Sequence, residues 1–591
     1  MNETIRPSRT IAGIASVAVV SACLLALPAQ AQKVPVTERT LSNGMRLLMV
    51  ERHDEPSVAG GWVAHVGSAN ERPGITGIAH LFEHMMFKGT PTLGTKDYAK
   101  DLEIIAAQEK VREETRREES KLRAAVLRGE IDDLLKPENR TGRLQELDKQ
   151  FKELVEQQRA ILVKNEFDRV YTTGGASGMN ASTSQDITQY FITVPANKLE
   201  LWMWMESERL LRPVFREFYA ERDVVFEERR MRTESTPLGK FEESFNAMFW
   251  DAHPYSWPTV GWPSDIPSIS KAQADEFYAQ FYCPQNITLV LVGDFKSADA
   301  EAACERYFGR IPRGKQDPPE LVTLEVKQLA EKRMNAEAET NPQVDIVWKT
   351  VAFQHKDSYA LEVLARLLST RTGRLYKGLV LGSQVATDTY AVQASQKYAG
   401  LFNIGGEARE GHSPEEVEKA IYAEVEKLQK DEVPDQELQK VKNNYAAMEY
   451  RRLSSSFAIL MQLLRYDGLG NWHFVNEAGA RYQAVTAADV KRVASTYLVK
   501  ESRAVATYTR KPGTGGGSED KETAGLTADQ KKMLQGMMGK LNAEKDVKKV
   551  RDLLGKIEGQ KQQAPAEMKA FLEVLQKKVA QRAADLEKEA K

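Results

Sequence analysis

The chain of 591 residues is poor in cysteine and has no excess of either charge. Its 3 cysteines are too few for a disulfide framework or a cysteine-ligated metal cluster. Lysine and arginine number 82 against 84 aspartates and glutamates, so the net charge is −2 and the basic excess of a nucleic-acid-binding protein is missing. We therefore expect no nucleic-acid partner.

Long apolar runs are also missing after the first thirty residues. Two arginines, an apolar run over residues 11–27 and Ala29-Gln30-Ala31 follow one another in the order of an export signal. Residues 1–31 are therefore predicted to be a signal peptide, and the mature chain is expected to be periplasmic or secreted, without a membrane span. Lipoprotein anchoring at Cys23 is the alternative, but the apolar residues after it fit a continuing signal core better.

The two other cysteines, Cys283 and Cys304, could pair in an oxidising compartment. Pairing requires Cα atoms within bridging range, which a sequence does not show. Two buried free thiols are the interpretation that we favour.

Hydrophobic residues make up 42% of the chain, enough for large cores. Asn43-Gly44 between two apolar runs predicts a β-hairpin. Further strands are predicted over residues 58–66, 187–194 and 287–292, and helices over residues 76–87, 197–211, 216–232 and 271–282. This order predicts an α+β domain with a largely antiparallel sheet.

The same order of elements returns after about 215 residues. Residues 272–292 and 487–507 both predict a helix, a tyrosine, a short break and a strand in which apolar and polar residues alternate. Tyr282 aligns with Tyr497. We therefore predict two homologous domains, residues 32–310 and 320–510, with mostly antiparallel sheets flanked by helices. Two unrelated α+β domains that end alike are the alternative.

Two segments belong to neither copy. Residues 103–165 are charged helix formers, broken once at residues 137–142, and predict an inserted helical hairpin whose default interpretation is a solvated spacer arm. Residues 511–525 are glycine-rich and predict a flexible linker, and residues 526–591 predict a helical tail.

The segment from Ile78 to Met86 carries the chemistry. His80 and His84 are four residues apart, so on a helix both imidazoles can reach one metal ion. Glu83 is close enough to accept a proton from water that the metal activates. The spelling H-x-x-E-H is that of the inverzincins. Two exposed histidines on an amphipathic helix are the bland alternative.

A catalytic zinc ion needs a third protein ligand and one open position. Glu221 and Glu228 are seven residues apart and share a helix face, whereas Glu227 points about 100° away from Glu228. Periodicity leaves Glu221 and Glu228 equal as the third ligand. A charged surface helix is the alternative for this segment.

At this point the chain resembles the pitrilysin/insulinase family of zinc metallopeptidases, in particular its bacterial, processing-peptidase-like branch. The resemblance covers roughly residues 35–510. It rests on the following segments, in order: Gly77-Ile78-Ala79-His80-Leu81-Phe82-Glu83-His84, Phe87-Lys88-Gly89-Thr90, Asn180-Ala181-Ser182-Thr183, Glu221-Arg222-Asp223-Val224-Val225-Phe226-Glu227-Glu228 and Leu289-Val290-Leu291-Val292-Gly293-Asp294-Phe295.

The resemblance implies a role for each matching residue. His80, His84 and Glu228 would bind one Zn²⁺ per chain, Glu83 would be the general base, and Glu221 a supporting catalytic carboxylate. Asn180 and Ala181 would form the edge-strand segment that pairs with extended substrate backbone.

The chain departs from the family pattern at two places. Residues 103–165 lengthen the interval between His84 and Glu228. In the second half, where relatives often use an arginine and a tyrosine to hold substrate, Arg374 and Tyr376 are followed by Leu379-Val380 at a position where arginine is common. The second half has no H-x-x-E-H, so one active site per chain is expected.

The leading hypothesis is a zinc endopeptidase that cleaves peptides or unfolded polypeptides in a chamber between its two domains. One alternative is a non-catalytic assembly or binding subunit of the same fold. Another is a catalytic subunit that works beside a metal-free partner. The resemblance leaves a homodimer, or a heterodimer with a metal-free homologue, open.

Overall fold

A computed structural model describes residues 33–511 except residue 135, and residues 526–589 except residues 528–529, 531–532, 535, 539–540, 542–543 and 545. The predicted signal peptide, with Cys23, lies outside the described residues. So do residues 512–525 of the predicted linker. No helix in the described part is long and apolar enough to cross a membrane. Cys283 and Cys304 are buried free thiols, as the sequence favoured.

The strands, in chain order, are β1 (Thr37–Thr40), β2 (Arg46–Glu51), β3 (Ser57–Ala64), β4 (Ser177–Thr183), β5 (Thr188–Pro195), β6 (Ile287–Gly293), β7 (Lys332–Ala338), β8 (Gln343–Thr350), β9 (Ala386–Ser395), β10 (Gly400–Ala408) and β11 (Arg503–Arg510). The helices are α1 (Ile78–Met85), α2 (Tyr98–Leu127), α3 (Gly142–Ile161), α4 (Glu166–Thr173), α5 (Leu199–Leu211), α6 (Phe218–Arg229), α7 (Gly239–Phe249), α8 (Lys271–Phe281), α9 (Ser297–Phe308), α10 (Ser358–Leu368), α11 (Pro414–Lys430), α12 (Asp435–Arg452), α13 (Ser456–Gly468), α14 (Phe474–Ala484), α15 (Ala487–Tyr497), α16 (Val547–Gln563) and α17 (Ala566–Glu589).

The first sheet has the order β1-β2-β6-β3-β5-β4. Only the β2–β6 pair is parallel among its described pairings, so the sheet is largely antiparallel, as predicted. The predicted hairpin is β1 and β2, and Gly44 in its turn has a φ of 90°, which glycine adopts without strain. Strand β4 lies at one edge of the sheet.

The second sheet has the order β7-β11-β8-β10-β9, with β7 and β11 parallel. Helices α8 and α15 each start at a capping box, and strands β6 and β11 follow them. The repeated order of elements is therefore present in the fold. Tyr497 ends α15, whereas Tyr282 comes just after the end of α8, so the two tyrosines are one position out of step.

One helix of each domain packs on the sheet of the other domain. The apolar face of the first sheet that α1 does not cover, with Leu48, Val63 and Val290, packs against Leu460 and Leu464 of α13. The corresponding face of the second sheet, with Val347, Ala504 and Tyr508, packs against Phe245 and Phe249 of α7. The two domains are thus joined by shared apolar cores.

The predicted inserted hairpin is formed by α2 and α3, and its base is part of the first domain. Arg216 and Asp101, both almost fully buried, form an ion pair there. Arg216 also donates hydrogen bonds to the carbonyls of Leu93, Thr90 and Lys88 at 2.8, 2.7 and 3.2 Å. Within the predicted segment, Gln108 and Gln158 are buried, and Gln158 donates a hydrogen bond to Asp101 at 2.8 Å, so the default of a solvated arm is wrong for the base of the hairpin.

The described part of the tail forms its own small core. Helices α16 and α17 pack on each other, and the buried residues of this cluster, such as Val550, Phe571 and Val579, all belong to the tail.

Candidate metal centre

Helix α1 is held in place at its N-terminus. The carboxylate of Glu71 accepts hydrogen bonds from the backbone N–H groups of Gly77 and Ala79 at 2.9 and 2.8 Å. Gly77 has a φ of 92°, and a Cβ there would lie 2.5 Å from the carbonyl oxygen of Val260. A glycine is therefore needed just before the helix that carries the H-x-x-E-H segment.

His80, His84 and Glu228 come together between α1 and α6. One imidazole nitrogen of each histidine and one carboxylate oxygen of Glu228 lie within 4.8 Å of one another. The Nε2 atom of His80 is 3.8 Å from one oxygen of Glu228, and the Nε2 atom of His84 is 3.4 Å from the other. Ligands about 2.1 Å from a tetrahedral zinc ion are separated by roughly 3.4 Å, so two imidazoles and one carboxylate at these distances fit such an ion.

Glu221 lies behind His84. The Nδ1 atom of His84 is 2.9 Å from the Glu221 carboxylate, which fixes the imidazole so that Nε2 faces Glu228. Lys88 forms an ion pair with the other oxygen of Glu221. Burial raises the pKa of Glu221, but its hydrogen bond with His84 and its contact with Lys88 prevail and hold the pKa at about 2.

The two histidines differ in their electrostatics. Burial, with the positive charges of His84 and Arg232, lowers the pKa of His80 to about 3, so its imidazole is neutral. Burial also lowers the pKa of His84, but the hydrogen bond and charge of Glu221, with the charges of Glu228 and Glu83, raise it above the usual value overall. Neutral His80 has the protonation state that a metal ligand requires.

Glu83 faces the same space from α1. Thr183 of β4 donates a hydrogen bond to its carboxylate at 2.7 Å. Burial raises the pKa of Glu83, and the Thr183 hydrogen bond opposes that shift. A carboxylate in this position can accept a proton from water near neutral pH.

A cavity of about 420 Å³ opens beside Glu83 and His84. Asn180 and Ala181 line it from β4, and residues 162–167, which directly follow the inserted hairpin, form another wall. The side-chain oxygen of Asn180 accepts a hydrogen bond from the backbone N–H of Ala181 at 2.8 Å. The predicted substrate-contacting segment thus lies on a sheet edge beside the metal-ligand cluster.

The remaining predicted residues fall elsewhere. Glu227 is mostly exposed and pairs with Arg230, away from the cluster. Arg374 forms a two-pronged ion pair with Glu437 in the second domain, with hydrogen bonds of 2.9 and 2.7 Å. That contact occupies the guanidinium.

Sequence reasoning missed the roles of Thr183, Lys88 and Arg232. Arg232 forms an ion pair with Glu228 at 2.8 Å from a π-helical turn after α6. Thr183 and Lys88 stand inside the segments that carry the resemblance, but nothing in their type or spacing points to Glu83 or Glu221.

The fold and this cluster define a class, a two-domain α+β protein with an H-x-x-E-H segment beside a third possible metal ligand. Two family models match the chain, the insulinase model of peptidase family M16 over residues 46–153 and the M16 inactive-domain model over residues 268–445. The chain belongs to the M16, or insulinase, family.

Related sequences carry names of the same kind. The zinc protease PqqE of Helicobacter pylori is 27% identical over 470 residues, which are 78% of this chain and 89% of that protein. The uncharacterized zinc protease YmxG of Bacillus subtilis is 21% identical over 408 residues, 68% of this chain and 81% of that protein. These relatives support a peptidase-like function and point to zinc as the metal.

Solved structures agree in fold. A protease from Helicobacter pylori superposes with a TM-score of 0.65 at 24% identity, over 80% of this chain and 99% of that one. The periplasmic protease PqqL from Escherichia coli gives 0.60 at 16% identity, over 82% of this chain and 48% of that one. At these identities the likeness establishes the two-domain α+β architecture.

Proposed function

We propose that this protein is a zinc endopeptidase that hydrolyses peptides or unfolded polypeptides, with one zinc ion per chain. The observation that carries the proposal is the convergence of His80, His84 and Glu228 within 4.8 Å, with Glu83 beside them at an open cavity. In this proposal Glu221 is the supporting carboxylate that orients His84.

When bound, the zinc ion supplies Lewis acidity, which lowers the pKa of water toward about 7 and polarises a carbonyl group. Glu83 then accepts the proton of the attacking water and later donates a proton to the leaving amine nitrogen. Thr183 holds the carboxylate of Glu83 in place for both transfers.

Strand β4 is the proposed docking edge for substrate. It ends the first sheet, so its outer edge can pair with an extended peptide backbone next to Asn180 and Ala181. Such pairing favours unfolded chains, because a folded protein does not present a free extended segment. The hydrogen bond from the Ala181 N–H to the side chain of Asn180 would have to yield to the substrate.

The expected chamber between the two domains stays a prediction. Helices α7 and α13 fill one contact between the domains with apolar side chains, so the chamber would lie on the open side of the site, beside β4. A second chain would complete its enclosure. A homodimer, or a heterodimer with a metal-free homologue, fits that requirement.

Export to the periplasm or beyond remains part of the proposal. It rests on the signal-like residues 1–31, and it agrees with PqqL of Escherichia coli, which is a periplasmic protease.

A non-catalytic assembly subunit is the second candidate. It is favoured by the match of residues 268–445 to a model described as an inactive domain. The metal-ligand cluster stands outside that region on α1 and α6, complete with Glu83, which is why peptidase activity ranks first.

One assay separates these candidates. The purified chain is given a quenched unstructured peptide, with and without a chelator, and zinc is then restored. Hydrolysis by the chain alone that is lost with the chelator and regained with zinc supports the proposal. Hydrolysis only after a metal-free homologue is added indicates the two-chain enzyme, and a zinc-loaded chain that is silent with every peptide and partner contradicts the proposal.

A further inference from the structure

A groove in the second domain lies apart from the metal-ligand cluster. It runs between α12 on one side and the end of α10 with residues 369–373 on the other, and its volume is about 1000 Å³. That volume is at the upper end of the roughly 300–1,000 Å³ of small-molecule sites, which leaves room for a peptide segment.

The rim of the groove is basic. Arg366, Lys377, Lys440 and Arg451 line it, and none of them forms an ion pair with a carboxylate in the part of the chain that the structure describes. Other side chains of the same domain do have such partners, as in the pairs of Lys427 with Glu424 at 2.6 Å and Arg481 with Glu477 at 2.9 Å. The groove therefore brings together four cations that form no ion pair among the described residues.

The acidic residue that lines the groove does not offset this charge. Both oxygens of Glu437 accept hydrogen bonds from Arg374, at 2.9 and 2.7 Å. This pair is partly buried at the groove wall, so Glu437 forms no ion pair with the four cations of the rim, of which Arg366 also feels the charge of Glu362.

The floor of the groove is apolar. Leu367, Val441 and Tyr445 are buried there, and Met448 lies beside them. The guanidinium of Arg366 lies over the ring of Tyr445, 5.8 Å from its centroid. A ligand that fits must therefore present negative charges with apolar groups between them.

The loop at the rim is tightly wound. Thr370 has a φ of 74°, a left-handed conformation that is a genuine outlier for a β-branched residue. A Cβ on Gly373 would lie 1.9 Å from the carbonyl oxygen of Ser369. Strained backbone of this kind persists where the surrounding structure enforces it, and it is concentrated at binding sites.

We propose that this groove binds an acidic, extended peptide segment, with carboxylates on the four cations and apolar side chains on the floor. A free phosphate or a nucleic acid would use the cations but not the apolar floor. The binding itself stands apart from the proposed hydrolysis. Its use, the capture of an acidic stretch of a polypeptide substrate away from the cleaved bond, rests on the proposed peptidase function.

Binding is tested with a fluorescent peptide of alternating glutamate, leucine and glycine, and with the same peptide carrying glutamine in place of glutamate. Fluorescence anisotropy on the full chain should show tighter binding of the glutamate peptide, and the difference should shrink as salt is added. The double variant Lys377→Glu/Lys440→Glu should weaken binding by at least about tenfold, because two attractions become repulsions.

The matched control is Lys356→Glu/Lys419→Glu. Both lysines are exposed, lie in the same domain outside the groove and change the net charge equally. This control should stay within about twofold of the parent chain, because neither lysine lines the groove and salt weakens the effect of exposed charges that do not contact the peptide. Equal weakening by the control, or equal binding of the glutamine peptide, would overturn the proposal.

Two further readouts keep the outcomes separate. Polyphosphate or single-stranded DNA that binds through Lys377 and Lys440 while the glutamate peptide does not would overturn the choice of occupant. If the chain hydrolyses peptides, the groove variant should raise KM for a substrate with an acidic extension and leave kcat unchanged. It should not affect a short neutral substrate. Loss of activity on both substrates would contradict the capture role, whereas anisotropy reports binding even in a chain that hydrolyses nothing.

Discussion

The hydrogen bond from Thr183 to Glu83 opposes the effect of burial, which raises the pKa of the candidate general base. The hydrogen bond stabilises the ionised carboxylate and lowers the pKa of Glu83 against the effect of burial. Thr183→Val keeps the shape and removes the hydrogen bond, so the pKa of Glu83 should rise. Because the base must be ionised to accept a proton, the acidic limb of the kcat/KM profile should move to higher pH. Thr183→Ser, which restores the hydroxyl, should return it, and an unchanged limb in Thr183→Val would contradict this role.

Glu83→Gln removes the base without changing the size of the side chain. The amide cannot accept a proton, so kcat should fall by at least about 10²- to 10⁴-fold. Zinc content, measured by mass spectrometry, should stay at one per chain, because Glu83 is outside the ligand set. Turnover at the parent rate would remove Glu83 from the mechanism.

Substitutions of the three glutamates of α6 should differ in their effects on a metal titration. Glu228→Gln should weaken zinc binding strongly, as should His84→Ala, because each loses a ligand atom of the cluster. Glu221→Gln should cost about 10- to 100-fold in affinity or activity, since it acts by orienting His84. Glu227→Gln is the matched control and should change neither. Greater zinc loss in Glu221→Gln or Glu227→Gln than in Glu228→Gln would mean that the ligand is misassigned.

Part of this site could be predicted from the sequence, and the reason is local geometry. The spacing of His80, Glu83 and His84 lies within one helix, where position along the chain fixes position in space. The choice between Glu221 and Glu228 depends on how α6 packs on α1, which helical periodicity does not contain. Thr183 meets Glu83 across 100 residues of sequence, so only the folded sheet brings them together.

Among the elements, the inserted hairpin differs most from what its sequence predicts. Its dense charge suggested a solvated arm, and many of its side chains are indeed exposed, yet Asp101 and Gln158 are buried at its base. Asp101 bonds to Arg216, whose guanidinium also contacts the carbonyls of the loop before α2. Composition predicts the helices of this hairpin. It does not identify the few polar residues that become buried.

Asp101→Ala should therefore destabilise the first domain. The variant leaves the Arg216 guanidinium buried without its counter-charge, which typically costs about 3–5 kcal/mol in free energy of unfolding. Urea unfolding followed by tryptophan fluorescence would measure it. Glu113→Gln, which breaks an exposed pair with Arg117 in the same helix, should cost under about 1 kcal/mol. Equal effects of the two variants would mean that the base of the hairpin is not anchored as described.

For the molecule as a whole, the two domains are joined by α13, which packs on the first sheet, and by α7, which packs on the second. A Cβ on Gly468 of α13 would lie 2.5 Å from Cγ2 of Ile187 in the first domain. Gly468→Val should lower the unfolding free energy by about 1–3 kcal/mol through overpacking of this contact. Gly479 of α14 has open space around it, so Gly479→Ala should be neutral or stabilising by up to about 1 kcal/mol. Thermal unfolding of both variants checks the pair, and an unaffected Gly468→Val would mean that α13 is not tightly packed there.

The repeated order of elements could be predicted from the sequence. The packing of α7 and α13 on the sheet of the other domain could not. The apolar faces of α7 and α13 show that each helix packs on something. They do not say on which of two similar sheets. That information belongs to the relative placement of the domains, which is fixed by contacts between distant parts of the chain.

The position of α13 also constrains the order in which the chain can fold. Leu48, Val63 and Val290 of the first sheet have no cover until residues 456–468 arrive, more than a hundred and sixty residues after β6 ends. A fragment that contains only the first domain would therefore expose the apolar face of its sheet and tend to aggregate. During synthesis or export, the first domain, which carries the metal ligands, can therefore complete its fold only after the second domain has emerged.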